Sequence, residues 1–121
     1  MSSGPPPSKL VLLADLEHCQ PGSKVRFLGC VDEYIVPTAT LRVKHNYPLS
    51  SPPHVANVNI DHVLESVTRI SIDVGSWINI IGYVERQPEK GVFVQAITVW
   101  DAGNVDLEAY QKAIEAHKDI Q

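Results

Sequence analysis

Apolar and polar residues alternate with a period of two over residues 24–36, where Val25, Phe27 and Val31 interleave with Lys24, Arg26 and Asp32. That is the pattern of a strand with one buried face. Gly29 lies inside the run, where glycine marks a bend or a close approach of backbone, and Pro37 ends it. Residues 39–45 repeat the pattern, with Leu41 and Val43 turned inward and Thr40, Arg42 and Lys44 outward. Residues 55–61 give a third strand, with Val58 and Ile60 inside and Asn57 and Asn59 outside. A short helical turn is predicted over 62–67, with Asp61 as its N-cap and Glu65 in its first turn. Residues 74–86, with Gly75 and Gly82 bracketing an apolar run, form the clearest strand; a polar hairpin loop at 87–91 returns it as a strand over 91–100. After a turn at 101–104, helical period runs over 105–120. Ahead of these elements, residues 9–14 (KLVLLA) suit either a strand or a turn of helix, and Pro21-Gly22 is a turn dipeptide.

Three strands, a short helix, two strands and a terminal helix lack βαβ alternation, so the hairpin-like spacings predict antiparallel pairing. Bending glycines in the first and fourth strands suit a closed all-β Greek-key barrel of the oligonucleotide/oligosaccharide-binding (OB) class, in which closure removes unpaired edges. A β-sandwich or an SH3-like barrel is the competing fold, and the helical link between strands three and four favours the OB barrel. The expected organisation is a flexible leader over residues 1–8, carrying three consecutive prolines, and a single OB domain over 9–121 that includes the terminal helix.

Composition narrows the function. The 121 residues are 44% hydrophobic, enough for one core, and carry a formal charge of −4. A protein that grips duplex DNA by its phosphates is usually basic, so strong autonomous binding is not expected and a local basic strip is what remains. The two cysteines, Cys19 and Cys30, are too few for a disulfide-built domain and read as reduced thiols of an intracellular protein. There is no sign of a signal peptide, and no apolar run approaches the roughly 18 residues that span a bilayer, so a soluble protein is expected.

No nucleophile–base pairing, phosphate loop or dinucleotide fingerprint occurs. His18, His45, His54, His62 and His117 form no metal-ligand spacing with each other or with the cysteines, so neither catalysis nor a cofactor is expected. A small enzyme of a different fold is the alternative of another class. Binding is better supported. In an OB barrel the outer face of the second and third strands, with its flanking loops, forms the ligand groove. Here that face displays Arg42, Lys44, Asn57 and Asn59, with Tyr47 and Arg86 beside it. Cations can meet phosphates there, and an aromatic ring can stack on a base. Along the terminal helix, Leu107, Tyr110, Ile114 and His117 form an apolar stripe that Ala109, Ala113, Ala116 and Ile120 widen, while Glu108 and Lys112 stand at i,i+4 spacing on the other side. The stripe either covers the chain's own barrel or receives a partner helix. Its breadth favours the partner, with Leu107, Tyr110, Ala113, Ile114 and His117 as the contact set.

With these pieces assembled, the chain resembles the smallest, Ten-type subunit of the telomere-capping CST complex in its fungal branch. The resemblance runs from residue 9 to 118. It rests on Pro21-Gly22-Ser23-Lys24-Val25-Arg26-Phe27-Leu28-Gly29, on Val74-Gly75-Ser76-Trp77-Ile78-Asn79-Ile80-Ile81-Gly82-Tyr83-Val84, and on Trp100-Asp101-Ala102-Gly103 leading into Asp106-Leu107-Glu108-Ala109-Tyr110. It implies an OB fold without enzymatic activity, and a heterodimer with a Stn-type OB subunit through C-terminal helices, similar to the two smaller subunits of replication protein A. It also implies a third, large CST subunit and a nuclear role at the telomeric region of chromosomes, binding single-stranded DNA, protecting ends and supporting complementary-strand fill-in. The small subunit of a general replication single-strand-binding trimer has the same architecture and is the alternative.

Overall fold

The structure, a computed structural model, describes residues 8–47, 54–69, 72–87 and 91–120. Most of the predicted leader, most of the 46–53 loop and the tip of the 87–91 hairpin lie outside the described residues. The elements in chain order are β1 (Lys9–Leu10), a 3-10 turn (Leu13–His18), β2 (Lys24–Ile35), β3 (Thr40–His45), β4 (His54–Asn59), α1 (Leu64–Arg69), β5 (Trp77–Gln87), β6 (Gly91–Asp101) and α2 (Leu107–Ile120). The 9–14 segment therefore takes both predicted forms, a two-residue strand and then the start of a 3-10 turn.

The five long strands close a barrel in the order β2-β3-β4-β6-β5, with β5 returning to β2. Four of the five junctions are antiparallel, as the spacing predicts. The fifth is not: β4 and β6 run parallel, pairing Asn57 with Phe93, Val58 with Val94 and Asn59 with Gln95. β1 also runs parallel to β2. The chain between β4 and β6 runs through α1 and β5, the long connection that parallel neighbours require in place of a tight hairpin. This is the OB-type Greek-key barrel with a helix between its third and fourth barrel strands.

The inward residues of every barrel strand share one core: Val25, Phe27 and Val31 from β2, Leu41 and Val43 from β3, Ala56 and Val58 from β4, Ile78, Ile80 and Val84 from β5, and Val94, Ala96 and Val99 from β6. Two glycines make this closure possible. A Cβ on Gly29 would stand 2.9 Å from Val43 Cβ, and one on Gly82 would stand 2.7 Å from Val94 Cγ1. Both are closer than carbon atoms approach, so β2 and β5 can bend over the core only where no side chain intervenes. The registers slip at two places, between Val31 and Glu33 on β2 and beside Gly82 where β6 carries Ile97 as an extra residue. Each is a β-bulge, which sharpens local twist.

One expected cap is corrected. Asp61 is the first residue of a 3-10 turn that leads into α1, and its backbone N–H donates to Asn59 Oδ1 at 3.1 Å. The N-cap position is Ile60, which offers no side-chain cap; Asn59, one residue earlier, takes the Asp61 N–H instead, because the turn begins before the helical period does.

Candidate functional site: a strand-face groove and a docked helix

The outward residues of β3 and β4 lie side by side through the pairings Thr40–Asn59, Arg42–Asn57 and Lys44–Val55. Across the parallel junction, Asn57 abuts Phe93 and Asn59 abuts Gln95. The result is an open groove of about 740 Å³ whose lining includes Thr40, Arg42, Asn57, Asn59, Glu85, Phe93 and Gln95. Arg42, Asn57 and Asn59 are brought together there as the sequence predicts, and Lys44 extends the same face of β3.

Their side chains are not idle. Arg42 Nη1 pairs with Glu33 Oε1 at 2.7 Å, and Lys44 Nζ pairs with Asp32 Oδ1 at 3.1 Å. Asn59 donates to the Thr38 carbonyl at 3.2 Å and accepts from Gln95 Nε2 at 3.1 Å, besides taking the Asp61 N–H. Three of its bonding positions are thereby committed, one to the turn before β3, one to β6 and one to the turn that follows β4. Asn57 Nδ2 makes one long bond, 3.4 Å, to the Val92 carbonyl. The aromatic ring in the groove is Phe93, half-buried, a residue that the reading of the 91–100 strand does not single out. Tyr47 does not line the groove. Its hydroxyl is hydrogen-bonded to Glu115 of α2, which pushes the phenol's pKa up, and its ring lies 6.1 Å from that of His45. The side chain of Arg86 lies outside the described residues.

α2 starts at an Asp106 cap, whose carboxylate accepts from the Ala109 N–H at 3.0 Å, a strongly preferred N-terminal arrangement. Glu108 and Lys112 form the expected i,i+4 pair at 2.9 Å. The apolar stripe divides. Ile114 is 2% exposed; with Leu12 and Leu28 it is buried outside the barrel's own core. Leu28 follows the inward Phe27, so it projects from the outer surface of β2. Tyr110 reaches back to the barrel as well, its hydroxyl bonding the Val11 carbonyl at 3.4 Å and the Leu28 backbone. Burial pushes that phenol up to about 12. Ile114 and Tyr110 are therefore seated against the chain's own barrel, with Tyr110 still half-buried. Leu107 is half-buried, Ala109, Ala113 and Ala116 are exposed, and the side chain of His117 lies outside the described residues.

The polar side of this seat is His45, at the end of β3 and 2% exposed. Gln111 Nε2 donates to its Nε2 at 3.1 Å. That leaves the imidazole proton on Nδ1, a buried atom without a hydrogen-bond partner among the described residues. The Trp77 ring meets His45 edge-on at 5.3 Å and Tyr110 lies at 6.4 Å. Burial first, and neighbouring His54 second, lower its pKa, so the ring is held neutral.

Cys19 and Cys30 are not in disulfides; the Cys19 thiol donates to the Asp15 carbonyl at 3.5 Å, and burial pushes the Cys30 pKa up. Among the described residues no three His, Cys, Asp or Glu side chains are grouped to hold a metal ion, and no helix is long and apolar enough to cross a membrane.

A family model described as "Ten1: Telomere capping, CST complex subunit" matches residues 1–115. The ten1 protein of Schizosaccharomyces pombe is 27% identical over 107 residues, 88% of this chain and 90% of its own. The crystal structure of the S. pombe Stn1–Ten1 complex contains a chain that superposes with a TM-score of 0.79 at 25% identity, covering 98% of both chains. A crystal structure of telomere capping protein Ten1 from S. pombe superposes with a TM-score of 0.75 at 26% identity, covering 93% of this chain and 99% of that one.

Proposed function

Because the chain belongs to the Ten1 family of telomere-capping CST subunits, we propose that it pairs with a Stn-type OB subunit and that the pair binds single-stranded telomeric DNA in the nucleus, alongside a large third subunit, protecting chromosome ends and supporting complementary-strand fill-in. The carrying observation is that the chain presents two separate surfaces. The groove occupies β3, β4 and β6, whereas α2 is seated on residues 11 and 28 and on the His45 end of β3. A protein that held DNA and a partner at once would need this separation. The S. pombe relative is solved together with Stn1, which supports the choice of partner.

In this reading α2 meets the partner through its outward face, Ala109, Ala113 and Ala116, with Leu107 at its edge. Small residues let a second helix approach closely. Tyr110 and Ile114 contribute by fixing the helix to the barrel. In the groove, Phe93 offers a ring for base stacking, Asn57 an amide, and Arg42 and Lys44 cations for the phosphates.

The test is co-expression of the full chain with the Stn-type subunit of the same organism, followed by titration of labelled single-stranded DNA against the pair and against the chain alone. The expected result is stable co-purification and tighter binding by the pair. Arg42→Ala with Lys44→Ala should weaken the pair's affinity without lowering its melting temperature. A chain that does not co-purify, or a pair whose affinity ignores both Phe93→Ala and the double change, would overturn the assignment of these surfaces.

A further inference from the structure

Arg42 in the groove and Lys44 farther along the same face of β3 are both answered by acids from a single point on β2. In a regular strand, neighbouring residues point to opposite faces, so Asp32 and Glu33 could not both reach the outer face of β3. The bulge removes that restriction. Val31 pairs with Val43 and Glu33 pairs with Arg42, which leaves Asp32 as the extra residue. Two consecutive carboxylates then serve one face, Glu33 on Arg42 at 2.7 Å and Asp32 on Lys44 at 3.1 Å. All four side chains stay 39% to 52% exposed, and exposed pairs of this kind contribute little to folding. Glu85 lines the same groove as Arg42, so among the described residues a third carboxylate stands on this surface beside the two pairs.

We infer that Asp32 and Glu33 set what the groove will bind, holding Arg42 and Lys44 as internal salts so that a phosphate must displace a carboxylate to reach either cation. The inference rests on the nucleic-acid reading of the groove given above. Its consequence is selectivity. A duplex presents mainly phosphates to a shallow groove, and these meet a surface without net positive charge. A single strand also offers bases, which Phe93 and the Asn57 amide can engage without displacing anything. The carboxylates therefore suppress duplex binding more than single-strand binding, and they keep the isolated subunit weak. Because exposed ion pairs are individually weak, the cations remain recruitable once a strand is held in place by its bases.

The experiment uses the full chain carrying Asp32→Asn and Glu33→Gln, isosteres that leave the bulge's shape unchanged, with Glu33→Gln alone as a milder second variant. Anisotropy of a labelled single strand and of the matching duplex is read between about 50 and 200 mM salt, together with a thermal melt. The double variant should bind the single strand about tenfold tighter at the low-salt end and gain more than that on the duplex. The slope of log affinity against log salt should steepen by roughly 1.4 for the single strand, about 0.7 for each cation freed. Adding Arg42→Gln and Lys44→Met should erase the gain. If the unaltered chain binds and the double variant binds no tighter with an unchanged slope, the inference is overturned while the groove's assignment stands. If neither binds DNA, alone or with the Stn-type subunit, the groove's assignment falls and takes the inference with it.

Discussion

Truncating Ile114 to alanine separates a helix packed on its own barrel from one that only a partner would hold. The side chain is 2% exposed, and Leu12 at 3% and Leu28 at 1% are the other buried hydrophobic residues outside the barrel core among the described residues. Removing a buried isoleucine down to Cβ typically costs about 2–5 kcal/mol, less where the surroundings can close over the gap. A surface helix can settle inward, so the low half applies, about 2–3 kcal/mol. For a domain of this size each kcal/mol lowers the melting temperature by roughly 3–4 °C, which gives a fall of about 6–12 °C. The loss should concentrate in α2, because a 14-residue helix is marginal in water without tertiary support. Amide exchange through local opening of α2 should accordingly speed up by about 30- to 150-fold. Circular dichroism melts and hydrogen exchange on the free chain measure both quantities, with Ala113→Gln on the exposed face as the control expected to stay within about 0.5 kcal/mol. If Ile114→Ala melts with the unaltered chain and α2 exchanges no faster, the helix is not docked in the free subunit and the reasoning is refuted.

Four further outcomes follow from the same contacts. The pKa of His45 is lowered in the folded chain, so the unfolded chain takes up its proton first. Stability should be full above about pH 6.5 and decline as pH falls from there toward the lowered folded value, a slope that His45→Gln should flatten in urea titrations between about pH 7 and 5. Tyr110 shifts the other way, up to about 12; its contribution should hold below about pH 10 and vanish between there and about 12, and Tyr110→Phe should show a shallower alkaline loss by the same assay. Gly82→Ala would drive a methyl to 2.7 Å from Val94 Cγ1 and 3.0 Å from Ala96 Cα, an overpacking that should cost at least about 1–3 kcal/mol in a denaturant melt. Asp106→Ala removes the cap on the Ala109 N–H and should cost about 1 kcal/mol, visible as faster exchange in the first turn of α2 and not in the barrel.

The barrel was legible because half-buried strands write their inward face into every second residue. Val25, Phe27, Leu41, Val43, Ile78, Ile80 and Val84 all lie where the alternation puts them. Alternation does not encode the direction of the neighbouring strand, so the parallel β4–β6 junction was invisible, and with it the proximity of Phe93 and Gln95 to Asn57 and Asn59. Nor does it encode a bulge. The slip at Asp32 is what brings two carboxylates onto the cations, and a regular strand would have placed only one there. Tyr47 was drawn to Glu115 on an element far away in sequence, which a local pattern cannot report. The seat of α2 did have a signal. Leu28 is a large apolar residue directly after the inward Phe27, and an outward leucine on a barrel strand implies that something covers it. Helical period shows that α2 has an apolar face; only that leucine indicates whose surface receives it.

The manner of seating has a consequence for recognition. The contacts that hold α2 come from Tyr110, Gln111, Ile114 and Glu115, consecutive turns of one side of the helix, and they differ in kind. Ile114 supplies apolar burial, which alone would tolerate rotation about the helix axis, since burial is not directional. Tyr110 on the Val11 carbonyl, Gln111 on His45 and Glu115 on Tyr47 are directional and lie along successive turns. Together they fix the rotation, and with it the outward placement of Ala109, Ala113 and Ala116. On the proposed function, a partner helix would meet a stripe already turned outward, and the ordering cost of association would have been met during folding. The buried Nδ1 of His45, without a hydrogen-bond partner among the described residues, is the penalty for that precision. An isoleucine in its place would pack as well, but it would give Gln111 nothing to hold.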